Sequence, residues 1–480
     1  MILETRNLSV QNRGEVSTGV FKDSTGQAGN LSVTALDSVE LVGGNLATAT
    51  RGAGRAGDLT VTTQRLTAQD GGRVEAGTLG IGQGGNVTVN ASESIDLSGF
   101  YAEGDILVFS GVSAKSGDSG NGGSGNVNLT TGELIIRDGA EIATATLGAG
   151  EGGDIQVQAN SVSINNGGSI TSRSTGEGNS GNVLVQANSL SISNSGRIIS
   201  RSEGQSLAGD IDLRLQDTLQ TNGGEISASS DQAGGGDINI SAHDIFLRNG
   251  SLISSSVFDS TGGGGNITIN SSEIFLALED SDILANAEAG SGGNITINSP
   301  GFLADLFSSG SATPVGRNPG SFAQFRGNGR VDISAESQTG SSGRVTFPNV
   351  DPSRGAVSLP TDIVDASGLI SSGCGTPQRI AQSRFIVSGR GGLPPTPSEI
   401  LSSDTVWTDL RSTTSTTGNS SAQPLATQQT ESSPKPLVEA QGWVISSDGQ
   451  VILTAQTPTV TLQTPGIASP SCEDFQAVAN

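Results

Sequence analysis

The chain has 480 residues, 70 of them glycine, and a formal net charge of −23. This acidic balance disfavours nucleic-acid binding, because phosphate contacts require clustered Lys and Arg. With 33 % hydrophobic and 3 % aromatic residues, and no run of 18 apolar residues, the sequence predicts neither one compact globule nor a transmembrane helix.

A dipeptide of glycine followed by Asn or Asp recurs along the first 300 residues. Its successive copies are 28 residues apart, except for intervals of 40, 27 and 29. The second residues of the ten copies are Asn30, Asp58, Asn86, Asn126, Asp154, Asn182, Asp210, Asp237, Asn266 and Asn294. A fixed period of this length is typical of a solenoid, in which each repeat packs only against its neighbours.

The N-terminal residues match the middle of a repeat. Leu8-Ser9-Val10, Arg13-Gly14 and Val16 match the second strand of a coil and not the first, so the chain is expected to begin inside a repeat. The first residues also lack the basic and apolar regions of a signal peptide.

The repeat from residue 57 to 84 shows the local structure of one coil. Leu59-Thr60-Val61, Leu66-Thr67-Ala68 and Val74 are separated by polar or glycine-rich corners. Short alternating segments of this kind predict strands, and coils of three strands can bury their apolar face only by stacking about 4.8 Å apart. The predicted fold class is therefore all-β, a parallel β-helix with about 28 residues and three strands per coil.

The repeated corner dipeptide has a structural interpretation and a metal-binding alternative. Glycine tolerates a positive φ, and Asn or Asp side chains on successive coils can form a hydrogen-bonded corner ladder. The alternative is calcium, but glycine-rich calcium rolls use a nine-residue repeat with Asp at every turn. Only Asp210 and Asp237 are acidic on consecutive coils. We predict a structural ladder, no metal site and no cofactor.

The 40-residue interval contains an insertion of about 12 residues, at 99–110. It carries the only tyrosine of the sequence, Tyr101, together with Phe100 and Phe109. Insertions in solenoids project from one face and often bind ligands, so these three aromatic residues are candidate binding residues. The alternative is a tolerated hairpin without a function.

Catalytic groups are sparse. Many parallel β-helices are polysaccharide lyases or hydrolases, which need two or more neighbouring carboxylates. The candidates are Glu225 with Arg197 one coil earlier, and Asp96, but neither belongs to a larger cluster. His243 is predicted to be a solvated corner residue, and no GxSxG motif accompanies it. The sequence therefore predicts a protein that is not an enzyme.

The repeats are predicted to occupy residues 1–299. Residues 300–410 are irregular, 411–437 form a low-complexity linker, and 438–480 form a small β cap in which Asp448-Gly449 would turn a hairpin. The two cysteines, Cys374 and Cys472, are candidates for one disulfide, since neither has the CxxC spacing of a zinc or redox site.

The tail carries the most specific resemblance. The string Gly389-Arg390-Gly391-Gly392-Leu393-Pro394-Pro395, followed by Asp404-Thr405-Val406-Trp407, resembles the C-terminal region of cyanobacterial haemagglutinin-like "S-layer" family proteins. The GGNxTxN repeats are similar to filamentous haemagglutinin-like adhesins. Cys374 matches the cysteine usual before this tail motif.

The resemblance implies a passenger of two-partner secretion, exported by an outer-membrane β-barrel transporter and folded as a right-handed parallel β-helix. It implies an extracellular or cell-surface location and a non-enzymatic adhesive or structural function, with glycans or cell surfaces as partners. The family's N-terminal secretion domain has no counterpart in this sequence. A β-helix polysaccharide lyase or hydrolase and a surface-layer or sheath component remain the alternatives.

Overall fold

The computed structural model of the protein describes residues 1–21, 25–104, 106–117, 122–258, 262–305, 307–308, 311–312, 325–348, 442–445 and 451–454. Regular structure in these ranges is entirely β. The chain divides into two compact units, Met1–Gly355 and Ala356–Asn480. The predicted all-β solenoid is confirmed: the first unit consists of stacked parallel strands about 28 residues apart.

One sheet of the first unit is built from long strands, one or two from each coil. These strands pair in parallel with the coil before and the coil after. They are β1 (Ile2–Gln11), β3 (Leu31–Val42), β5 (Leu59–Gln69), β7 (Val87–Ser98), β11 (Val127–Arg137), β13 (Ile155–Gln158), β14 (Ser161–Ile164), β16 (Val183–Ser193), β18 (Ile211–Asn222), β20 (Ile238–Arg248), β22 (Ile267–Ala277), β24 (Ile295–Asn298), β25 (Gly301–Ala304) and β29 (Val345–Thr346).

The second sheet is built from one short strand per coil, also paired in parallel. Its strands are β2 (Glu15–Val20), β4 (Asn45–Thr50), β6 (Arg73–Thr78), β10 (Gly111–Ser116), β12 (Glu141–Thr146), β15 (Ser169–Ser174), β17 (Arg197–Ser202), β19 (Glu225–Ser230), β21 (Leu252–Ser254), β23 (Asp282–Leu284) and β28 (Ile333–Ser334). Three antiparallel hairpins complete the described structure: β8 (Phe100–Glu103) with β9 (Ile106–Phe109), β26 (Phe307–Ser308) with β27 (Ser311–Ala312), and β30 (Gly442–Ile445) with β31 (Val451–Thr454).

Alternation along each strand sends one set of side chains into a narrow core. In β5, Leu59, Val61, Leu66 and Ala68 are all fully buried, and the residues between them are exposed or half-buried, except Thr63, which is also buried. The same positions of neighbouring coils carry Val, Ile, Leu and Ala. Each Val, Leu or Ile buried in this way contributes roughly 1.5–3 kcal/mol, and only stacking of the coils provides that burial.

The first two predicted strands of a coil are continuous in most coils, where they form one long strand with a bend. The bend coincides with a register irregularity, as between Thr63 and Arg65 on β5 paired with β7. In one coil they stay separate as β13 and β14. A bulge adds twist and bends a strand without ending it, which is why the sequence pattern looked like two strands.

Both predicted ends of the solenoid differ from the structure. The first long strand begins at Ile2, whose register partner is Ser32, so the first half of the strand is present and not missing. At the other end, Ile333 pairs with Ile283 and Val345 with Ile295, so stacking continues beyond residue 299. The sequence obscured this last coil because it follows a 50-residue interval and its corner reads Gly343-Arg344 in place of Gly-Asn or Gly-Asp.

In the second unit, Gly442–Ile445 pairs antiparallel with Val451–Thr454, the hairpin predicted around Asp448-Gly449. The predicted linker at 411–437, the Gly389–Pro395 motif, Cys374 and Cys472 lie outside the described residues.

Candidate functional site

The repeated Asn/Asp corner residues form a continuous hydrogen-bonded column. In each step, the backbone N–H of one corner residue donates to the side-chain Oδ1 of the corner residue one coil earlier. Donor–acceptor distances run from 2.7 Å, for Asp237 on Asp210, to 3.0 Å, for Asn294 on Asn266. The column starts at Asn30, crosses the 40-residue interval between Asn86 and Asn126 at 2.9 Å, and ends with Arg344 N–H on Asn294. The insertion therefore leaves the stack intact.

The glycine of this corner is required by close stacking, and not by a positive φ as expected. None of these glycines falls in the left-handed region. A Cβ built on Gly153 would lie 1.9 Å from the carbonyl oxygen of Gly125 one coil earlier, and a Cβ on Gly181 would lie 2.1 Å from that of Gly153. A side chain larger than hydrogen at either position would push successive coils apart.

Left-handed residues occur instead at the turn that joins the long strand to the short strand. Asp70-Gly71, Asp138-Gly139 and Asn249-Gly250 all have positive φ there. This second corner is the one from which the 99–110 insertion projects, since Gly99 (φ 74°) takes the equivalent place.

The insertion is a two-stranded hairpin whose aromatic residues pack on that turn. The ring of Tyr101 lies over Gly71, where an added Cβ would meet it at 2.1 Å, and the guanidinium of Arg13 lies 5.2 Å from the ring centroid. Phe100 and Phe109 contact each other, with ring centroids 5.8 Å apart, and lie beside Gly139. Much of the aromatic surface predicted to bind a ligand is thus used to hold the hairpin on the solenoid.

A groove runs along the bend of the long strands, and it was not among the sites predicted from the sequence. The part around β13, β16 and β18 encloses about 740 Å³, and an adjoining part of about 380 Å³ shares Thr130, Thr131 and Asn160 with it. One wall consists of register neighbours on successive coils: Thr62, Asn90, Thr130, Gln158, Gln186, Arg214 and Ser241. The opposite wall is formed by Ser92, Gly132, Asn160, Asn188 and Gln216.

Small side chains make the groove concave. Its floor carries Ala91, Ala159 and Ala187, which are at most 9 % exposed, between the longer polar residues of the walls. Because the long strand bends at this point, a small residue there draws the surface inward while the walls stay raised. The sequence signal is the column of Gln, Asn and Thr directly after the first buried pair of each coil, as Gln158 follows Ile155 and Val157.

Two buried carboxyl groups lie on adjacent coils near the end of the solenoid. Asp282 is 2 % exposed and Asp332 is fully buried, and the backbone N–H of Asp332 donates to Asp282 Oδ1 at 3.0 Å. Burial raises the pKa of Asp282 to about 8, with the neighbouring carboxylates of Asp332 and Asp280 contributing. The carboxylate of Asp332 accepts a hydrogen bond from Arg330 Nε at 3.2 Å.

The candidate catalytic residues are not brought together into a site. Arg197 and Glu225 are register neighbours, but no ion pair joins them among the described residues. Asp96 accepts a hydrogen bond from Arg137 at 3.1 Å, and this bond raises the pKa of Arg137. The imidazole of His243 is half exposed, and its Nδ1 lies 3.1 Å from Oδ2 of the adjacent Asp244.

Within the part of the chain that the structure describes, no group of three or more His, Cys, Asp or Glu residues could hold a metal ion. No helix in that part is long and apolar enough to cross a membrane. Comparison with known proteins adds no relative, since no protein-family model, curated protein or solved structure matches the chain.

Proposed function

We propose that this chain is a non-enzymatic, surface-associated solenoid with an adhesive or structural function, of the filamentous haemagglutinin type. The observation that carries the proposal is the unbroken corner column from Asn30 to Arg344, which runs past a 12-residue insertion without losing a step. Such a column supports a long stacked body whose outer surface can vary freely, and this property suits a display or spacer function.

The charged groups support a structural interpretation over catalysis. Arg173, Arg201, Glu203 and Asp231 form an exposed ion-pair network between coils, with N···O distances of 2.6–3.8 Å. One pair of neighbouring carboxyl groups, Asp282 and Asp332, is buried, so a polysaccharide chain cannot reach it. Glycoside hydrolysis needs two accessible carboxyl groups on either side of the scissile bond.

The location and the export partner are proposed from the resemblance alone. A passenger of this type would be exported through an outer-membrane β-barrel transporter and would function at the cell surface or outside the cell. The tail motif at Gly389–Pro395 carries this part of the proposal.

Adhesion can be tested with beads coated with the full chain. We expect these beads to adhere to cells or to polysaccharide-coated surfaces, and beads coated with an unrelated acidic protein to stay free. Absence of adhesion to every surface would contradict the adhesive function, and ordered self-assembly of the soluble chain, seen by light scattering and electron microscopy, would favour a lattice component. Release of new sugar ends from any polysaccharide would contradict the non-enzymatic assignment.

A further inference from the structure

The walls of the lateral groove carry side-chain amides that make no hydrogen bond within the described residues. These amides belong to Gln158, Asn160, Gln186, Asn188 and Gln216. Asn270 and Asn298 continue the register positions of one wall beyond Ser241, and there the two side-chain amides do bond to each other, at 2.9 Å. We propose that the groove binds a linear, uncharged polysaccharide lying parallel to the solenoid axis. This inference deepens the proposed adhesive function and rests on it.

The donor and acceptor pattern fits sugar hydroxyl groups. Each carboxamide offers two N–H donors and one oxygen acceptor, and each sugar hydroxyl can both donate and accept. Opposed amides occur on the two walls of one coil as Gln158 with Asn160, and on the next coil as Gln186 with Asn188. A chain between the walls can therefore form hydrogen bonds on both of its edges.

The charge of the groove selects an uncharged chain. Among the described residues that line it, the only charged ones are Asp212 and Arg214, and these bind each other, with Arg214 Nε 3.0 Å from Asp212 Oδ2. An anionic or cationic polymer would have to break this ion pair to find an opposite charge. The net charge of −23 further repels polyanions.

An extended peptide fits the groove less well. Peptides usually bind by adding a strand to a free sheet edge or by placing apolar side chains in pockets. The strands that form the groove are already hydrogen-bonded to the coils on both sides. The floor of Ala159 and Ala187 gives no deep apolar pocket for a side chain.

The groove is repetitive, so affinity should depend on ligand length. From Thr62 to Ser241 the wall crosses seven coils, which is about 29 Å at ~4.8 Å per coil. The described lining residues include no aromatic ring on which a sugar could stack. Each contact is therefore weak, and tight binding requires several coils to engage one chain at once.

The test measures binding of fluorescently labelled linear β-1,4-linked glucose oligomers of two, four and six units to the full chain by anisotropy. We expect the hexamer to bind at least tenfold more tightly than the dimer. The variant Gln158→Ala/Gln186→Ala/Asn188→Ala should bind the hexamer roughly tenfold to hundredfold more weakly. The matched control Gln83→Ala/Asn128→Ala/Gln220→Ala removes three amides outside the groove and should bind as the unaltered protein does.

Several outcomes would overturn the inference: no binding of any oligomer, equal loss in the groove and control variants, or tighter binding of heparin or of an extended peptide than of the hexamer. If the groove variant misfolds, hexamer-induced shifts of the side-chain amide signals of Gln158 and Gln186 in the unaltered protein decide the question. If the hexamer does not bind the unaltered protein but beads coated with that protein still adhere to cells, the groove inference fails while the adhesive function stands.

Discussion

Replacing Asp282 with Asn should stabilise the last described coil at neutral pH. Asp282 is 2 % exposed and its pKa is raised to about 8 by burial, so the folded protein holds this carboxyl group in its protonated form at pH 7. An unfolded chain ionises it near pH 4. Folding at pH 7 therefore requires uptake of a proton, whereas Asn needs none and keeps an oxygen that can accept from the N–H of Asp332.

The size of the effect follows from the difference in pKa. The stability given by the protonated Asp282 is complete below about pH 4 and is lost as the pH rises to about 8. Each pH unit in this window costs about 1.4 kcal/mol, so roughly 4 kcal/mol is lost by pH 7. Asp282→Asn should recover most of that free energy, and the gain should vanish at pH 4. Burial also raises the pKa of Glu336 in the next coil, that of Asp332, which gives the unaltered protein a further loss of the same sign.

Amide hydrogen exchange gives the most direct measurement, because a solenoid can open one end without unfolding as a whole. The relevant amides are those of Ile283 and Ala285, which donate to the carbonyl oxygens of Asp332 and Ser334 in the last coil. Their protection, corrected for the intrinsic exchange rate, should fall from pH 4 to 8 in the unaltered protein and fall much less in Asp282→Asn. The control Asp217→Asn changes an exposed carboxylate and should leave protection unaltered. Protection that rises with pH in the unaltered protein would refute the reasoning.

Three further predictions concern the corners and the insertion. Gly153→Ala places a Cβ 1.9 Å from the carbonyl oxygen of Gly125 and should destabilise the protein by about 3 kcal/mol or more in urea unfolding. The control Gly29→Ala should cost less than about 0.5 kcal/mol, because a Cβ on Gly29 meets nothing within 4 Å. Equal losses of stability in the two variants would contradict the close-stacking argument. Asn126→Ala removes the acceptor of the Asp154 N–H, at 2.9 Å, and should cost about 1 kcal/mol by the same measurement, against no change for Asn128→Ala. Tyr101→Ala should lower the hydrogen-exchange protection of the β8–β9 amides by at least tenfold. The amides of the long strand β11 should keep their protection, because the corner column bypasses the hairpin. Loss of protection in β11 would show that the hairpin supports the stack.

Much of the fold follows from the sequence because its determinants are local and periodic. The alternation of Leu59-Thr60-Val61 fixes which side chains face inward, and the 28-residue spacing fixes which coils are neighbours. The physical reason for the corner glycine could not be read in the same way. Whether Gly57 is present for its φ or for the carbonyl oxygen of Gly29, 2.2 Å from an added Cβ, depends on the distance between coils.

The groove was hidden for a related reason. Gln158 and Gln186 look like ordinary outward-facing residues until the bend places Asn160 and Asn188 across from them. The acidic pair was missed because Asp282 and Asp332 are 50 residues apart, and the intervening residues disguise their register. For the groove the missing information was the bend within each coil, and for the acidic pair it was the register of two coils that do not share the common spacing.

The corner column also has a direction, and this gives the order of assembly a chemical basis. At every step the acceptor belongs to the earlier coil and the donor to the later one, as with Asn126 Oδ1 and the N–H of Asp154. A coil that has just formed therefore presents an unused acceptor to the segment that follows it in the chain. Growth from the N-terminal side therefore finds the acceptor already in place at each addition, while growth in the opposite sense would add each acceptor after its donor. The direction of the column thus favours the addition of coils from the N-terminal side towards the C-terminal side.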